Sequence, residues 1–290
     1  MKTGLVLEGG AMRGLFTAGV LDVLMKHGIS CDGMIGVSAG AAFGCNFKSR
    51  QLGRVLRYNL RFCRYWRFVS WRSLLLTGDL FGAEFCYHTR PEKLDPFDAA
   101  EFARNPLEFH LVCTEVATGA PVYHRCDVAD HAAMEWIRAS SSRPLVSRPV
   151  ELEGKRYLDG ALSDSIPLEY FEKLGFGRNL VVLTQPAGYV KRRSKLEPLV
   201  RFLCRRHPQV AEAIRLRAER YNRQLEFVRN AEKSGRAFVI RPEAPLPIHR
   251  VSHDPDAIRR VHALGVAAAE KELAAIKNFL REAENACPPL

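Results

Sequence analysis

The segment 36–40, with the sequence GVSAG, places Ser38 between two glycines directly after a short apolar run at 34–35. Small residues follow it at 41–44, as at the start of a helix. A serine at a sharp strand-to-helix turn has a strained backbone that exposes its hydroxyl, and its neighbours must be small so that strand and helix can approach. The pattern indicates a nucleophile elbow or, alternatively, a small-residue turn that only packs a helix on a strand.

A second segment that could take part in chemistry is the loop 8–14, EGGAMRG, which follows the apolar run 5–7. A glycine loop between a strand and the N-terminus of a helix offers backbone N–H groups to an oxyanion. A dinucleotide-binding loop is the competing interpretation. It is disfavoured because Ala11 replaces a glycine of the GxGxxG pattern and no ribose-binding acid is evident at the end of the next strand.

A serine nucleophile needs a base, and the sequence offers two candidate types. One is a histidine, but none of the nine stands in a context that singles it out: 27, 88, 110, 124, 131, 207, 249, 253 and 262. The other is Asp159, which follows a predicted strand and precedes Gly160 and Ala161, although an aspartate there is more often a turn former. Ser38 also comes too early for an α/β-hydrolase, in which several strands precede the nucleophile.

The elements that must position these residues alternate along the chain. The order strand, glycine loop, helix, strand, elbow and helix predicts a parallel sheet covered by helices. Further strands are predicted at 109–114, 121–124, 179–184 and 237–240, with a hairpin at 150–158. Helices are predicted at 134–140, 209–232 and 254–282, and residues 73–106 are expected to be mostly loop and short helix.

Composition excludes several classes of protein. The 290 residues suffice for one large domain or two small ones. No apolar stretch approaches the roughly 20 residues of a membrane span, and the first eight residues lack the apolar segment of a signal peptide. The eight cysteines are scattered without a C-x-x-C pair, so we expect reduced core residues of a cytoplasmic protein and no zinc site.

The net charge of +11 is concentrated in two basic patches, at 48–72 and 190–229. In the first, the arginines at 50, 54, 57, 61 and 64 have helical spacing and precede two tryptophans, Trp66 and Trp71. This pattern is typical of contact with an anionic membrane, or of a surface helix with a solvated arginine face. The second patch has few aromatic residues and no recognised nucleic-acid-binding module, so nucleic acid is an unlikely partner.

Taken in order, these motifs resemble those of the patatin-like phospholipases. The matching residues are the loop 9–14, the elbow 36–40, and the motif Asp159-Gly160-Ala161, with Ala139-Ser140 and Pro144 ahead of the aspartate. The resemblance spans about residues 4–185 and is greatest to small bacterial members of unassigned substrate. It implies a three-layer α/β/α fold with a mostly parallel sheet. Residues 186–290 are expected to complete the same domain as a basic loop that begins the segment 186–208, followed by helices and a last strand.

The resemblance also implies a role for each motif. Ser38 would be the nucleophile and Asp159 its base, without a histidine. The oxyanion region would comprise Gly9, Gly10, Ala11, Arg13 and Gly14. The expected activity is hydrolysis of phospholipid, lysophospholipid or other carboxylic acyl esters, with no metal or cofactor, and residues 65–98 are the candidate lid.

Ala11 departs from the resemblance, because the family usually has a glycine there. If that position requires a positive φ, an alanine costs about 1 kcal/mol or more, and the loop would be shifted. This departure motivates the alternative that the chain is a non-catalytic lipid- or membrane-binding protein.

Overall fold

A single mixed sheet forms the centre of the protein in a computed structural model that describes residues 1–194 and 197–285. Its strands run in the order β5-β6-β3-β2-β1-β7-β8, and β4 also pairs with β3. Their bounds are β1 (Lys2–Leu7), β2 (Gly33–Val37), β3 (Glu108–Glu115), β4 (Pro121–Arg125), β5 (Val150–Leu152), β6 (Lys155–Asp159), β7 (Phe176–Val182) and β8 (Ala237–Ile240). The five central strands β3, β2, β1, β7 and β8 are mutually parallel, and β4, β5 and β6 pair antiparallel.

Helices cover both faces of this sheet. Their bounds are α1 (Gly14–Lys26), α2 (Ala39–Lys48), α3 (Arg54–Phe62), α4 (Trp71–Thr77), α5 (Ala99–Arg104), α6 (His131–Ser141), α7 (Leu168–Lys173), α8 (Glu197–Leu203), α9 (Pro208–Lys233), α10 (Pro255–Lys271) and α11 (Leu273–Asn285). A π-helical segment spans Phe85–Leu94, and 3₁₀ turns span Ala11–Arg13 and Gly160–Leu162.

Alternation along β1 separates the two sides of the core. Leu5 and Leu7 pack in the cluster that contains residues of α1, α2 and α10, whereas Val6 packs in the cluster that contains residues of α7 and α9. Side chains of successive strand residues point to opposite faces, so both faces of β1 are buried by helices. The predicted three-layer α/β/α fold is confirmed.

The C-terminal part of the chain contributes to the same sheet and core. Strand β8 extends the sheet beyond β7, and α10 packs along α1. The predicted strand 237–240 matches β8, and the predicted helix 209–232 matches α9 within one residue at each end. Three expectations were incomplete: the final helix divides into α10 and α11, α8 lies in a segment expected to be a loop, and 73–106 is mainly helical.

The predicted arginine face of residues 48–72 was wrong. Helix α3 spans only Arg54–Phe62, so Arg50 and Arg64 lie outside it. Arg54 is buried, and both it and Arg57 form ion pairs with Asp95 at 2.9 Å. Asp95 comes from a distant part of the sequence, so helical spacing gave no sign that Arg54 is buried and neutralised, whereas Arg57 and Arg61 stay exposed.

The sequence also led to expectations about membrane-spanning helices and about the cysteines. None of the helices in the described ranges is long and apolar enough to cross a membrane. Seven cysteines are buried free thiols, and Cys287 lies outside the described residues.

Candidate active site

Sheet register brings Ser38 and Asp159 together. Strand β2 ends at Val37, which pairs with Val112 of β3, and the next residue of β3, Cys113, pairs with Asp159 at the end of β6. Strands β2 and β6 pair with successive parts of the same edge of β3, because β4 occupies the opposite edge. The Ser38 hydroxyl donates a hydrogen bond to Asp159 Oδ2 at 3.0 Å.

Ser38 occupies a strained backbone conformation, with φ of 55° and ψ of −121°. Its amide N–H donates to Ser140 Oγ at 3.0 Å, and the Ser140 hydroxyl donates to the Val112 carbonyl at 2.7 Å. A fully buried serine thus ties the elbow to β3. A buried residue outside the preferred φ/ψ regions persists only when its surroundings hold it there, and this bridge is part of that support.

Every polar atom of Asp159 forms a hydrogen bond. Its Oδ1 accepts the Ala161 N–H at 2.8 Å, its backbone carbonyl accepts the Thr114 hydroxyl at 2.9 Å, and its N–H donates to the Ser142 carbonyl at 2.7 Å. Asp159 as a whole residue is only 2% exposed. Gly160 is needed for this placement, because a Cβ there would lie 2.1 Å from the Val112 carbonyl oxygen.

The glycine loop lies beside the elbow, as the sequence predicts. A Cβ on Gly9 would lie 2.9 Å from the Val37 carbonyl oxygen and 3.2 Å from Ser38 Cβ. Within the described chain, no acceptor takes the amide N–H of Gly9, Gly10 or Ala11. These amides are the candidate oxyanion donors, at the N-terminal end of the turn that leads into α1.

Ala11 has a φ of 49°, so this alanine adopts the left-handed conformation that a glycine would adopt without strain. The loop is not displaced to avoid that conformation. Arg13 and Gly14 have other roles in the backbone, since the Arg13 N–H donates to the Gly10 carbonyl and the Gly14 N–H donates to the Ala11 carbonyl.

Hydrogen bonds of Glu8 hold the start of the glycine loop in place. This buried carboxylate accepts the Thr184 N–H at 2.6 Å and the Tyr221 hydroxyl at 2.6 Å. Arg13 extends toward the same place, with its Nε 3.4 Å from Thr184 Oγ1. The contacts join β1, the end of β7 and α9, which fixes the loop against the sheet.

No histidine of the described chain lines either cavity beside Ser38. Five of them have partners elsewhere: His27 with Glu270, His88 with Glu135, His110 with Glu108, His253 with the Cys63 carbonyl, and His262 with Asp22. A serine–histidine arrangement therefore has no candidate histidine at this site.

A second buried carboxylate, Asp164, follows the aspartate motif. Burial raises its pKa to about 6. It accepts hydrogen bonds from the Tyr123 hydroxyl at 2.8 Å and from Gln224 Nε2 at 2.8 Å. These contacts join β4 and α9 behind the site.

Ser38 opens into a large cavity of about 610 Å³. One part has mainly apolar walls from α2, α6 and the segment 65–98, including Phe43, Phe68, Phe81, Tyr87 and Ile137. The candidate lid segment 65–98 thus forms a wall of the cavity. The other part has basic walls from residues that are far apart in the chain: Arg143, Lys191, Arg217 and Arg250. Lys191 and Arg217 belong to the predicted basic patch 190–229, but the sequence did not place them at the site, and it singled out neither Arg143 nor Arg250.

His88, His131 and Glu135 form a group whose potential ligand atoms lie within 4.8 Å of one another. None of the three lines the cavities beside Ser38, and Arg138 already donates a hydrogen bond to Glu135 at 3.0 Å. The group therefore has no place in the chemistry of this site.

The family model for the patatin-like phospholipase domain matches residues 5–172, which contain the loop, the elbow and the aspartate. The chain belongs to the patatin-like phospholipase family. A second model, a domain of unknown function (DUF6363), matches residues 207–281.

Several relatives of this family member are known by name. It is 30% identical to the uncharacterized protein YjjU of Escherichia coli over 97% of this chain and 80% of YjjU. It is 27% identical to the lysophospholipase nte1 of Aspergillus oryzae over 60% of this chain, and spans only 11% of that longer protein. Its structure is similar to that of VipD from Legionella pneumophila, with a TM-score of 0.46 and 10% identity, over 94% of this chain and 67% of VipD.

Proposed function

We propose that this protein hydrolyses acyl esters of phospholipids or lysophospholipids through a Ser38 acyl-enzyme, with Asp159 as the base. The observation that carries the proposal is the 3.0 Å hydrogen bond from the Ser38 hydroxyl to Asp159 Oδ2, at a strained elbow that opens into an apolar cavity. Membership of the patatin-like family and similarity to lysophospholipases support a lipid hydrolase.

The proposed reaction begins when Ser38 Oγ attacks the ester carbonyl and its proton moves to Asp159 Oδ2. The developing oxyanion accepts hydrogen bonds from backbone N–H groups of the glycine loop. Gly10 and Ala11, at the turn that leads into α1, are the candidate donors. The carbon–oxygen bond to the alcohol then breaks, and Asp159 returns the proton to the leaving oxygen. Water attacks the acyl-enzyme with Asp159 again as base, which releases the fatty acid and restores Ser38.

Contacts at Asp159 suit this role. Oδ1 is occupied by the Ala161 N–H, so Oδ2 alone faces the nucleophile. The backbone on both sides of the carboxylate is fixed by Thr114 and Ser142. A base held in this way needs little reorganisation to accept the proton, which is how preorganisation lowers a barrier.

The apolar part of the cavity is the proposed acyl-chain site. A volume of about 610 Å³ lies within the range of ligand-binding cavities. Its apolar wall from Phe43 and Ile137 leads away from Ser38, and Phe81 and Tyr87 of the segment 65–98 complete it. Burial of an acyl chain there contributes about 0.8 kcal/mol per methylene group.

We also propose that two exposed apolar helices dock the protein on an anionic membrane at the cytoplasmic face. On α4, Trp71, Leu75 and Leu76 are 71%, 86% and 63% exposed, and on α8 Phe202 is 60% exposed. Trp71 lines the large cavity, so the apolar surface continues to its opening. Exposed arginines lie on or beside both helices, at 67, 72, 192, 193, 205 and 206, which complements a negatively charged bilayer.

The function is tested by release of fatty acid from a panel of pure lipids: phosphatidylcholine, lysophosphatidylcholine and monoacylglycerol, with a p-nitrophenyl ester as a soluble reference. We expect hydrolysis by the wild type and none by Ser38→Ala, whereas Ser234→Ala, at the distant end of α9, should match the wild type. A wild type that binds vesicles, releases no fatty acid from any of them and resists a fluorophosphonate probe would instead establish the non-catalytic lipid-binding alternative.

A further inference from the structure

Five basic side chains meet beside the proposed nucleophile. They line a small cavity of about 30 Å³ that also contains Ser38 and Asp159: Arg13, Arg143, Lys191, Arg217 and Arg250. We call these five residues the cation cluster. Arg13 follows the glycine loop, Arg143 follows α6, Lys191 precedes α8, Arg217 lies on α9, and Arg250 lies between β8 and α10.

The cation cluster lacks bound counter-charge. Among the described residues, none of its five members forms an ion pair with a carboxylate. The contacts they do make are with neutral groups: Arg217 Nε donates to the Ala161 carbonyl at 2.7 Å, and Lys191 Nζ lies 4.0 Å from the centre of the Tyr221 ring. Like charges are thus held together next to Ser38 without a direct ion pair to any of them.

Two carboxylates lie nearby, but both are already engaged. Asp159 binds Ser38 and Ala161, and Glu8 binds Thr184 and Tyr221. Five cations therefore face two carboxylates, and positive charge remains in excess. Four of the five residues, Arg13, Arg143, Lys191 and Arg217, are half-buried, and Arg250 is exposed at the edge of the cluster. Water and salt ions screen charge less among half-buried side chains than on the open surface.

Mutual repulsion is visible in the acid–base properties of the cluster. Burial and the charge of Arg217 lower the pKa of Lys191 to about 7. Burial and the charge of Arg143 lower the pKa of Arg217 to about 10, and the Arg143 charge also lowers the pKa of Arg250. The arrangement costs free energy in the empty protein, and a bound anion would recover it.

We propose that the cation cluster binds the phosphate of the substrate, so that the preferred substrate is an acylated glycerol phosphate. This proposal rests on the proposed function, since it assigns a headgroup site to the same Ser38. Arginine suits the role because its planar guanidinium donates paired hydrogen bonds to phosphate oxygens.

The two cavities place the parts of such a substrate in order. They share Ala11, Ser38 and four of the cations, so the small cavity opens directly onto the large one. An acyl chain in the apolar part and a phosphate at the cation cluster would both lie beside Ser38, which lines both cavities. The three-carbon glycerol between ester and phosphate is short enough to join them, and the ester carbonyl would then lie at the serine.

The test compares two substrates with the same acyl chain, 1-oleoyl-lysophosphatidate and 1-monooleoylglycerol, both below their aggregation concentrations. We expect kcat/KM of the wild type to be at least about tenfold higher for the phosphate ester, which is what one charge-assisted hydrogen bond commonly contributes. Arg143→Ala and Arg250→Ala should each reduce this ratio about tenfold. Arg223→Ala, which removes an exposed arginine from the same α9 helix as Arg217, should leave the ratio unchanged.

A second measurement distinguishes a lipid phosphate from free phosphate. Glycerol 3-phosphate and inorganic phosphate are each added to the hydrolysis of a neutral p-nitrophenyl ester, and competitive inhibition by glycerol 3-phosphate is expected. Inhibition by inorganic phosphate without a preference for lysophosphatidate would contradict the substrate assignment. Equal kcat/KM for the two oleoyl esters, unchanged by either variant, would overturn the proposal while the hydrolase function stands. Absence of hydrolysis of every ester by the wild type would instead refute the proposed function.

Discussion

Replacement of Ala11 by glycine examines a residue of the glycine loop that departs from the family pattern. Its φ of 49° places an alanine in the left-handed region, which costs about 1–2 kcal/mol relative to the right-handed helical region. Glycine removes that strain, but it also increases the conformational entropy of the unfolded chain, which lowers the free energy of unfolding by about 0.4–1 kcal/mol. We therefore expect Ala11→Gly to raise the free energy of unfolding by up to about 1.6 kcal/mol.

The catalytic consequence should be small. Because the loop already has the backbone conformation that glycine would adopt, its amides should be in place in the wild type. We expect kcat for a p-nitrophenyl ester to change by less than about threefold, which corresponds to less than 1 kcal/mol in the activation free energy. Stability is measured by urea unfolding followed by circular dichroism, and kcat on the same preparations.

Glu153→Gly is the matched control. Glu153 has a φ of 51° in the exposed turn between β5 and β6, so it carries similar strain away from the site. It should gain a similar stability with unchanged kcat. A tenfold rise in kcat for Ala11→Gly alone would refute the reasoning, since it would mean that the alanine displaces the oxyanion donors. Loss of stability in both variants would refute the strain argument.

Three further predictions follow from the site and its surroundings. Ser140→Ala should lower the free energy of unfolding by about 1–3 kcal/mol and reduce kcat, because the Ser38 N–H loses its buried acceptor. Asp164→Asn should raise the free energy of unfolding at pH 7 by up to about 3 kcal/mol, since a carboxyl whose pKa rises on folding loses stability as the pH rises from about 4 to about 6. Trp71→Ser combined with Leu75→Ser should weaken binding to anionic vesicles in a sedimentation assay.

Each of these has its own check. Ser140→Thr keeps the hydroxyl and should recover more activity than Ser140→Ala; equal activity of the two would contradict the bridging role. For Asp164→Asn, a pH series of urea unfolding should show a flatter curve between pH 4 and 6 than the wild type, and an unchanged slope would contradict the assigned burial effect. Leu174→Ser, an exposed leucine between α7 and β7, is the control for docking, and equal vesicle binding by all variants would exclude α4 from the interface.

Local patterns predicted the elements of the fold and the motif residues of the site. Apolar runs bounded by glycine predicted β1 and β2, and the small residues around Ser38 and after Asp159 predicted two close approaches. The structure shows why those residues are small: Gly9 and Gly160 lie against the backbone of β2 and β3. Each of these features depends on a few neighbouring residues, so a single sequence contains the information.

Features that depend on distant partners were not accessible in this way. The pairing of Arg54 with Asp95 requires knowledge of how the segment before α5 folds back on α3. Ser140 was part of a recognised segment, but its hydrogen bond to the Ser38 amide follows from packing of α6 on β3. The cation cluster likewise comes from separate segments. Arg13 belonged to a motif and Lys191 and Arg217 to the predicted basic patch 190–229, but nothing in the sequence showed that they meet beside Ser38.

The central claim is that Asp159 alone is the base for Ser38, and the rate of p-nitrophenyl ester hydrolysis by Asp159→Asn tests it most directly. Asparagine preserves the size of the side chain, so circular dichroism should show a folded protein. We predict a loss in kcat/KM of at least about a thousandfold, with Asp127→Asn, an exposed aspartate, as the unaffected control. Retention of more than about a tenth of the wild-type rate in Asp159→Asn, together with its loss on replacement of any one histidine by glutamine, would contradict the account.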